Sequence, residues 1–168
     1  MISRRAFLSS LAAAPFVSAA DRKPNIIVLL GDDMGYHDVS LHGSTEMSTP
    51  NIDSIAKNGV RFTNGYVSGP YCSPTRSGLM TSRYQTRYGH EFNEGPGPVK
   101  FGLPLTETTI AQRLKELGYA TYAVGKWHLG NDLEYRPMKR GFDEFYGTVA
   151  NTPYYHPPQF VDSRLGPE

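Results

Sequence analysis

Cys72-Ser73-Pro74-Thr75-Arg76-Ser77-Gly78-Leu79-Met80-Thr81 is the stretch on which the reading of this chain turns. It holds the single cysteine among 168 residues, at a point where loop-like sequence gives way to helix-compatible sequence. Pro74 suits a first helical turn, because its missing N–H costs nothing there and its φ is already set. Ser77 to Thr81 can continue the helix. Cys72 and Arg76 are four residues apart, so they look out from one side of such a turn. That side is the positive end of the helix, where free N–H groups and the macrodipole favour an anion. The pattern joins an oxidisable sulfur, a fixed cation and an oxyanion cradle. A lone free cysteine is ordinarily a small buried hydrophobe, so its neighbours must carry any further claim.

Working outward, Asn25-Ile26-Ile27-Val28-Leu29-Leu30 is a continuous apolar run rich in β-branched residues. It predicts a strand buried on both faces, as in a parallel sheet. The run ends at Gly31-Asp32-Asp33-Met34-Gly35-Tyr36, and open α/β sheets place ligands beyond the carboxyl ends of their strands. Adjacent carboxylates there repel unless a cation sits between them. Oxygen ligands suit Ca²⁺, with Mg²⁺ as the smaller alternative; taken alone, Asp and Gly also read as a solvated turn. Thr49 to Gly59 predicts a short helix capped by Thr49, started by Pro50 and ended by Gly59, with Ile52, Ile55 and Ala56 buried. Val60 to Val67 predicts a second strand that delivers the chain to Cys72. His37, Asp38 and His42 match no metal-site spacing and read as loop residues.

Downstream, Glu107 to Leu117 predicts a helix capped by Thr106 and closed by Gly118, with Ile110, Ala111, Leu114 and Leu117 on one face. Arg83, Arg87 and His90, near Cys72 in sequence, could meet a charged substrate, although exposed basic residues are usually just solvated. Tyr119 to Val124 predicts the next strand, running into Gly125-Lys126-Trp127-His128-Leu129-Gly130. If the backbone stays extended past Gly125, Lys126 and His128 project to one side and Trp127 to the other. The strand–helix–strand rhythm supports a parallel sheet with flanking helices, an α/β fold.

Two of these stretches carry a family resemblance. Cys-x-Pro-x-Arg followed by Ser-Gly-Leu-Met-Thr-Ser-Arg resembles the signature of the type I sulfatases, relatives of alkaline phosphatase. Gly-Tyr-x-Thr-x-x-x-Gly-Lys-Trp-His, at residues 118–128, resembles the second signature of the same family. The resemblance covers roughly Asn25 to Tyr155. It implies an alkaline-phosphatase-like fold and conversion of Cys72 to formylglycine, whose hydrated aldehyde attacks the sulfur of a sulfate ester. It further implies that Asp32, Asp33 and the modified Cys72 are ligands of a calcium ion. Arg76 would hold the nucleophile, Lys126 would bind the sulfate, and His128 would orient the diol or take its proton. Other family site residues, an Asp-Asn pair with another histidine and lysine, are expected beyond Glu168. Residues 21–168 are therefore expected to be the N-terminal part of a longer catalytic domain.

The implied function is hydrolysis of sulfate monoesters of a carbohydrate or an aryl group, after maturation by a formylglycine-generating enzyme. Two other readings are a phosphate or phosphonate monoester hydrolase on the same scaffold, and an inactive fragment that only folds or binds anions. Cys72 within its motif argues against the first of these, since such relatives commonly use Ser or Thr.

The 17 Lys+Arg and 16 Asp+Glu leave a formal charge of +1, which gives no reason to expect nucleic acid or an anionic membrane as partner. Residues 1–20 have a basic start at Arg4-Arg5, an apolar run from Ala6 to Ala19 and small residues before Asp21. They predict an export signal. Arg-Arg-x-Phe-Leu favours the twin-arginine type over an ordinary secretory signal, and the apolar run is too short to span a membrane. The expected location is periplasmic or extracellular, in a bacterium. A single cysteine in an exported chain fits a residue modified before export.

Overall fold

The structure, a computed structural model, describes residues 23–93, 101–150 and 160–163. The chain divides into two compact units, Met1–Gly35 and Tyr36–Glu168. The predicted export segment lies outside the described residues.

In the first unit, 23–35 contains no helix or strand among the described residues. The predicted strand over Asn25–Leu30 is not formed, and Ile27 and Leu29 are about four-fifths exposed. An apolar run becomes a strand only by sharing a ladder with a neighbour, and the described residues of this unit offer none. The chain turns at Asp32-Asp33, where Asp33 takes a left-handed φ of 59°. Asp tolerates that region better than most residues.

The second unit contains three α-helices, five short 3₁₀ helices and a three-stranded sheet among its described residues. Helix α1 spans Pro50–Asn58, α2 Cys72–Thr81 and α3 Ile110–Glu116. Strands β1 (Tyr122–Lys126), β2 (Glu144–Thr148) and β3 (Phe160–Asp162) lie in that order. β1 and β2 are parallel, with Tyr122 opposite Glu144 and Lys126 opposite Thr148. β2 and β3 are antiparallel, so the sheet is mixed. The α/β class holds.

Three local expectations need correction. Val60–Val67 forms no strand, and Val60, Phe62 and Tyr66 are each about four-fifths exposed or more. β-Branched and aromatic residues fit a half-buried pleated surface, and no ladder reaches this segment to provide one. α1 starts at Pro50 as predicted, but Ile52 and Ile55 are exposed and Gly59 is not left-handed. The helix is held instead by polar contacts. Asp53 accepts from Ser40 Oγ (2.7 Å), the Leu41 N–H (3.1 Å) and Thr49 Oγ1 (3.0 Å), and the Ser40 bond leads the effects that lower its carboxyl pKa. α3 is capped by Thr109, not Thr106. Gln112 at the third helical position completes a reciprocal capping box, which Thr109 alone is spaced to make. Of its expected face, Ala111 is buried while Leu117 is exposed.

The core gathers Leu103, Ala111, Trp127, Leu129, Phe142 and Phe145. Trp127 meets Phe142 edge-on at 5.8 Å between ring centres, and its indole N–H donates to the Tyr135 carbonyl. Each buried aromatic therefore contributes area without stranding a polar atom. Buried Arg140 donates to the carbonyls of Pro104 and Glu107. Asp143 joins α3 to the sheet: Lys115 approaches one carboxylate oxygen at 2.5 Å, and the Thr121 N–H and hydroxyl donate to the other. The Lys115 bond, then those of Thr121, hold its pKa down at about 2.

Gly125 faces Gly147 across the β1–β2 pair. A Cβ at 147 would lie 1.9 Å from the Gly125 carbonyl oxygen. Gly147→Ala is therefore expected to destabilise the chain by about 1–3 kcal/mol, the usual range for overpacking. Thermal unfolding checks this; a midpoint unchanged from the parent would mean that the strands do not pair in this register.

Candidate active site

α2 begins with Cys72, half-buried, after an extended Tyr71 at the N-cap. The helix forms here because its buried positions, Ser73, Pro74, Ser77, Gly78 and Thr81, are small. They recur at near-helical spacing and let the neighbouring chain come close. A Cβ at Gly78 would lie 2.4 Å from Ser68 Oγ. Tyr88 is anchored to this face, its hydroxyl 2.9 Å from both Ser77 Oγ and Thr81 Oγ1.

The first turn is less of an anion cradle than its sequence suggests. The Ser73 N–H donates to Asn93 Oδ1 at 3.0 Å. Pro74 has no N–H, and the Thr75 N–H donates to the Tyr71 carbonyl at 3.2 Å. Three of the first four helical positions thus offer no backbone donor to a ligand. The macrodipole remains, but side chains must supply most of the directed contacts with an anion.

Arg76 is also half-buried. Its Nη1 donates to the backbone carbonyl of Lys126 at 2.5 Å, joining α2 to the end of β1 across 50 residues of sequence. The two stretches singled out in the sequence are therefore adjacent in space. Beyond Lys126 the backbone does not stay extended. The Trp127 and His128 N–H groups donate to the carbonyls of Thr148 and Val149, and His128 takes a left-handed φ of 58°. His128 is buried and Trp127 enters the core. Strand alternation of the kind expected for an extended backbone therefore does not place these side chains. A non-glycine residue held at positive φ is a strain that tends to occur at functional sites.

Asp32 and Asp33 belong to the first unit. Both are exposed, with carboxylate oxygens within 4.8 Å of one another. Two hard oxygen donors at that separation fit a calcium ion better than a softer metal.

The sequence pattern did not single out His90 or Asn93. His90 Nε2 lies 2.7 Å from Ser73 Oγ. The ring is buried, meets Phe101 edge-on at 4.8 Å, and is hydrogen-bonded to the Gly102 backbone. Only the spacing from the cysteine motif hinted at this, and one histidine in an aromatic-rich stretch is a weak signal. Arg83, by contrast, is taken up by Glu107 at 2.5 Å and lies over the Tyr88 ring. His37, Asp38 and His42, expected in a loop, lie in two short 3₁₀ helices, Tyr36–Asp38 and Ser40–His42, and His42 stacks on Tyr36.

With this geometry in view, comparison with known proteins is decisive. The Sulfatase family model matches residues 24–164. The chain belongs to the sulfatase family. This sulfatase-family chain is 41% identical over 138 residues to N-acetylgalactosamine-6-sulfatase of Homo sapiens, covering 78% of itself and 26% of that protein. It is 41% identical over 147 residues to arylsulfatase J of Mus musculus, covering 87% and 24%. Among solved structures it is similar to Ps i-CgsB, with a TM-score of 0.76 and 44% identity over 82% of this chain and 31% of that one. It also resembles the PsFucS1 sulfatase from Pseudoalteromonas sp., with a TM-score of 0.70 and 36% identity over 78% and 27%. The sulfatase-family chain thus spans less than a third of the length of these relatives.

Burial of the His90 ring holds its pKa at about 4, below the ordinary 6.5, against the opposing hydrogen bond to Gly102. Between those two values the unfolded chain binds more protons than the folded one, so stability falls as pH drops through this window. Denaturant unfolding from about pH 7 to about pH 4 should show that slope, and His90→Gln should flatten it. An equal slope in the variant would place its source elsewhere.

Proposed function

We propose that the complete protein of which this chain is part hydrolyses sulfate monoesters of a carbohydrate or aryl alcohol. The observation that carries this reading is the bond from Arg76 to the Lys126 carbonyl, because it brings the cysteine motif and the Lys-Trp-His motif of one family together. Oxidised to formylglycine by a maturation enzyme, Cys72 would supply a hydrated aldehyde as the oxygen nucleophile toward sulfur. Asp32 and Asp33, with the modified Cys72, would hold calcium, which when bound supplies charge against the sulfate oxygens and lowers the pKa of a neighbouring hydroxyl.

The chain's own residues do the remaining work. Arg76, tethered at one nitrogen, holds its guanidinium in a fixed orientation beside the nucleophile's helix. Lys126 brings a second cation to bind the sulfate group and to offset charge developing on the leaving alcohol oxygen. Charges fixed in advance stabilise such a transition state without reorganisation. His128, held by its turn, orients the nucleophile or receives its proton. Export through the N-terminal segment to the periplasm or beyond would bring the enzyme to sulfated polysaccharide. Relatives named for N-acetylgalactosamine-6-sulfate and a solved complex of Ps i-CgsB with a neocarrahexaose support a sulfated glycan as substrate.

The test uses the full-length polypeptide co-expressed with a maturation enzyme. The peptide containing Cys72 should lose about 18 Da as thiol becomes aldehyde, and matched sulfate esters should be cleaved faster than phosphate esters. Cys72→Ala should abolish turnover, and Lys126→Ala should lower kcat on the order of a hundredfold to a thousandfold. Chelation should remove activity and calcium restore it. Unmodified thiol with a preference for phosphate esters would overturn the reading.

A further inference from the structure

We propose that His90 and Asn93 are positioning residues that set the nucleophile by gripping Ser73, the residue that follows it. Ser73 is completely buried, and both of its polar groups are taken by one short segment. Its N–H goes to Asn93 Oδ1 at 3.0 Å, and its hydroxyl oxygen lies 2.7 Å from His90 Nε2. Gripped at backbone and side chain together, Ser73 cannot rotate, and Cys72 is one bond away along the backbone.

The direction of the hydrogen bonds follows from the partners. The Gly102 backbone group bonded to the ring raises the histidine's basicity, as a carbonyl acceptor does, and a carbonyl needs a donor. A neutral imidazole has one donor and one acceptor, so the Ser73 hydroxyl donates to Nε2. His90 therefore passes a fixed chain of hydrogen bonds from Ser73 to Gly102.

Gly102 is itself anchored to the other half of the site. It bridges to Gly130, and the neighbouring Leu103 N–H donates to the Leu129 carbonyl at 2.8 Å. Tyr135 lies against both glycines: a Cβ at Gly102 or Gly130 would fall within 2.5 Å of its side chain. Tyr135 also receives the Trp127 indole N–H through its carbonyl. Two rails thus join the nucleophile's helix to the Lys126–His128 segment. One is Arg76 to Lys126, and the other runs Ser73, His90, Gly102 and Leu129. A single tether would let α2 pivot; two restrain the separation between nucleophile and cation.

This inference rests on the proposed sulfatase reading for its catalytic meaning, but its geometry can be tested without turnover. In the unmatured full-length protein, iodoacetamide alkylation measured on the Cys72 peptide should speed up about threefold or more in His90→Ala, because local opening exposes the thiol. His90→Gln, which keeps a donor and an acceptor, should restore the parent rate. In the matured full-length protein, His90→Ala and Asn93→Ala should lower kcat on the order of tenfold to a hundredfold, as a misplacement near one ångström does, with KM nearly unchanged. Asn93→Asp keeps the acceptor for the Ser73 N–H and should recover most of the loss. Ser73→Ala combined with His90→Ala should be no worse than either alone.

Parent-like alkylation and kcat in His90→Ala overturn the proposal, as do losses that multiply in the double variant or that His90→Gln leaves in place. If His90→Ala does not fold, Asn93→Ala against Asn93→Asp gives the same comparison. A loss that the aspartate restores then supports the grip, and parent-like behaviour or an unrestored loss overturns it. A parent protein without sulfate-ester turnover, whose Cys72 alkylation still responds as expected, would sink the sulfatase reading and leave the grip standing.

Discussion

A guanidinium held by a backbone carbonyl is the constraint on which this site depends. Arg76 leaves the surface of α2 and donates to the last residue of β1. Hydrogen bonds to a charged donor are shorter and stronger than neutral ones, and a planar guanidinium fixed at one nitrogen has little freedom left at the others. Residues that share no sequence neighbourhood thereby acquire a common frame. Without this tether, the helix that carries the cysteine would be joined to the Lys126–His128 segment only through packing and the longer chain of hydrogen bonds by way of His90.

The frame works because the helix behind it is unusual in what it buries. Ser73, Ser77, Gly78 and Thr81 give α2 an inward face of small, mostly polar groups. Each must find a partner once buried, and the segment from Gln85 to Asn93 supplies several: Tyr88 for Ser77 and Thr81, His90 and Asn93 for Ser73. Hydrogen bonds are directional where apolar contacts are not. A face of this kind therefore specifies the helix's rotation and register more sharply than a leucine stripe would. The same demand explains the first turn: its backbone donors serve the protein's own geometry, which leaves anion recognition mainly to side chains.

Local and non-local signals fared differently along the chain. Pro50 at a helix start and Pro74 in a first turn could be read directly, because backbone preferences of single residues decide them, whereas the strand expected over Tyr119–Val124 begins three residues later and spans Tyr122–Lys126. The two apolar runs at 25–30 and 60–67 could not. Their β-propensity was plain, yet neither forms a strand here, since a ladder needs an adjacent edge that a sequence window does not contain. Thr109 displaced Thr106 as the α3 cap for a local reason, the reciprocal bond to Gln112.

By itself the amino-acid sequence determined the family and the helix under the cysteine. Each of these is encoded in a short motif whose residue types leave few alternatives. Only the tertiary structure decided that His128 reaches its place through a left-handed turn and that the Ser73 N–H is spent on Asn93. It alone brought a histidine unmarked by any motif under the nucleophile's helix. Those outcomes depend on hydrogen bonds between residues far apart in the chain, and which donor meets which acceptor is settled only when distant segments pack.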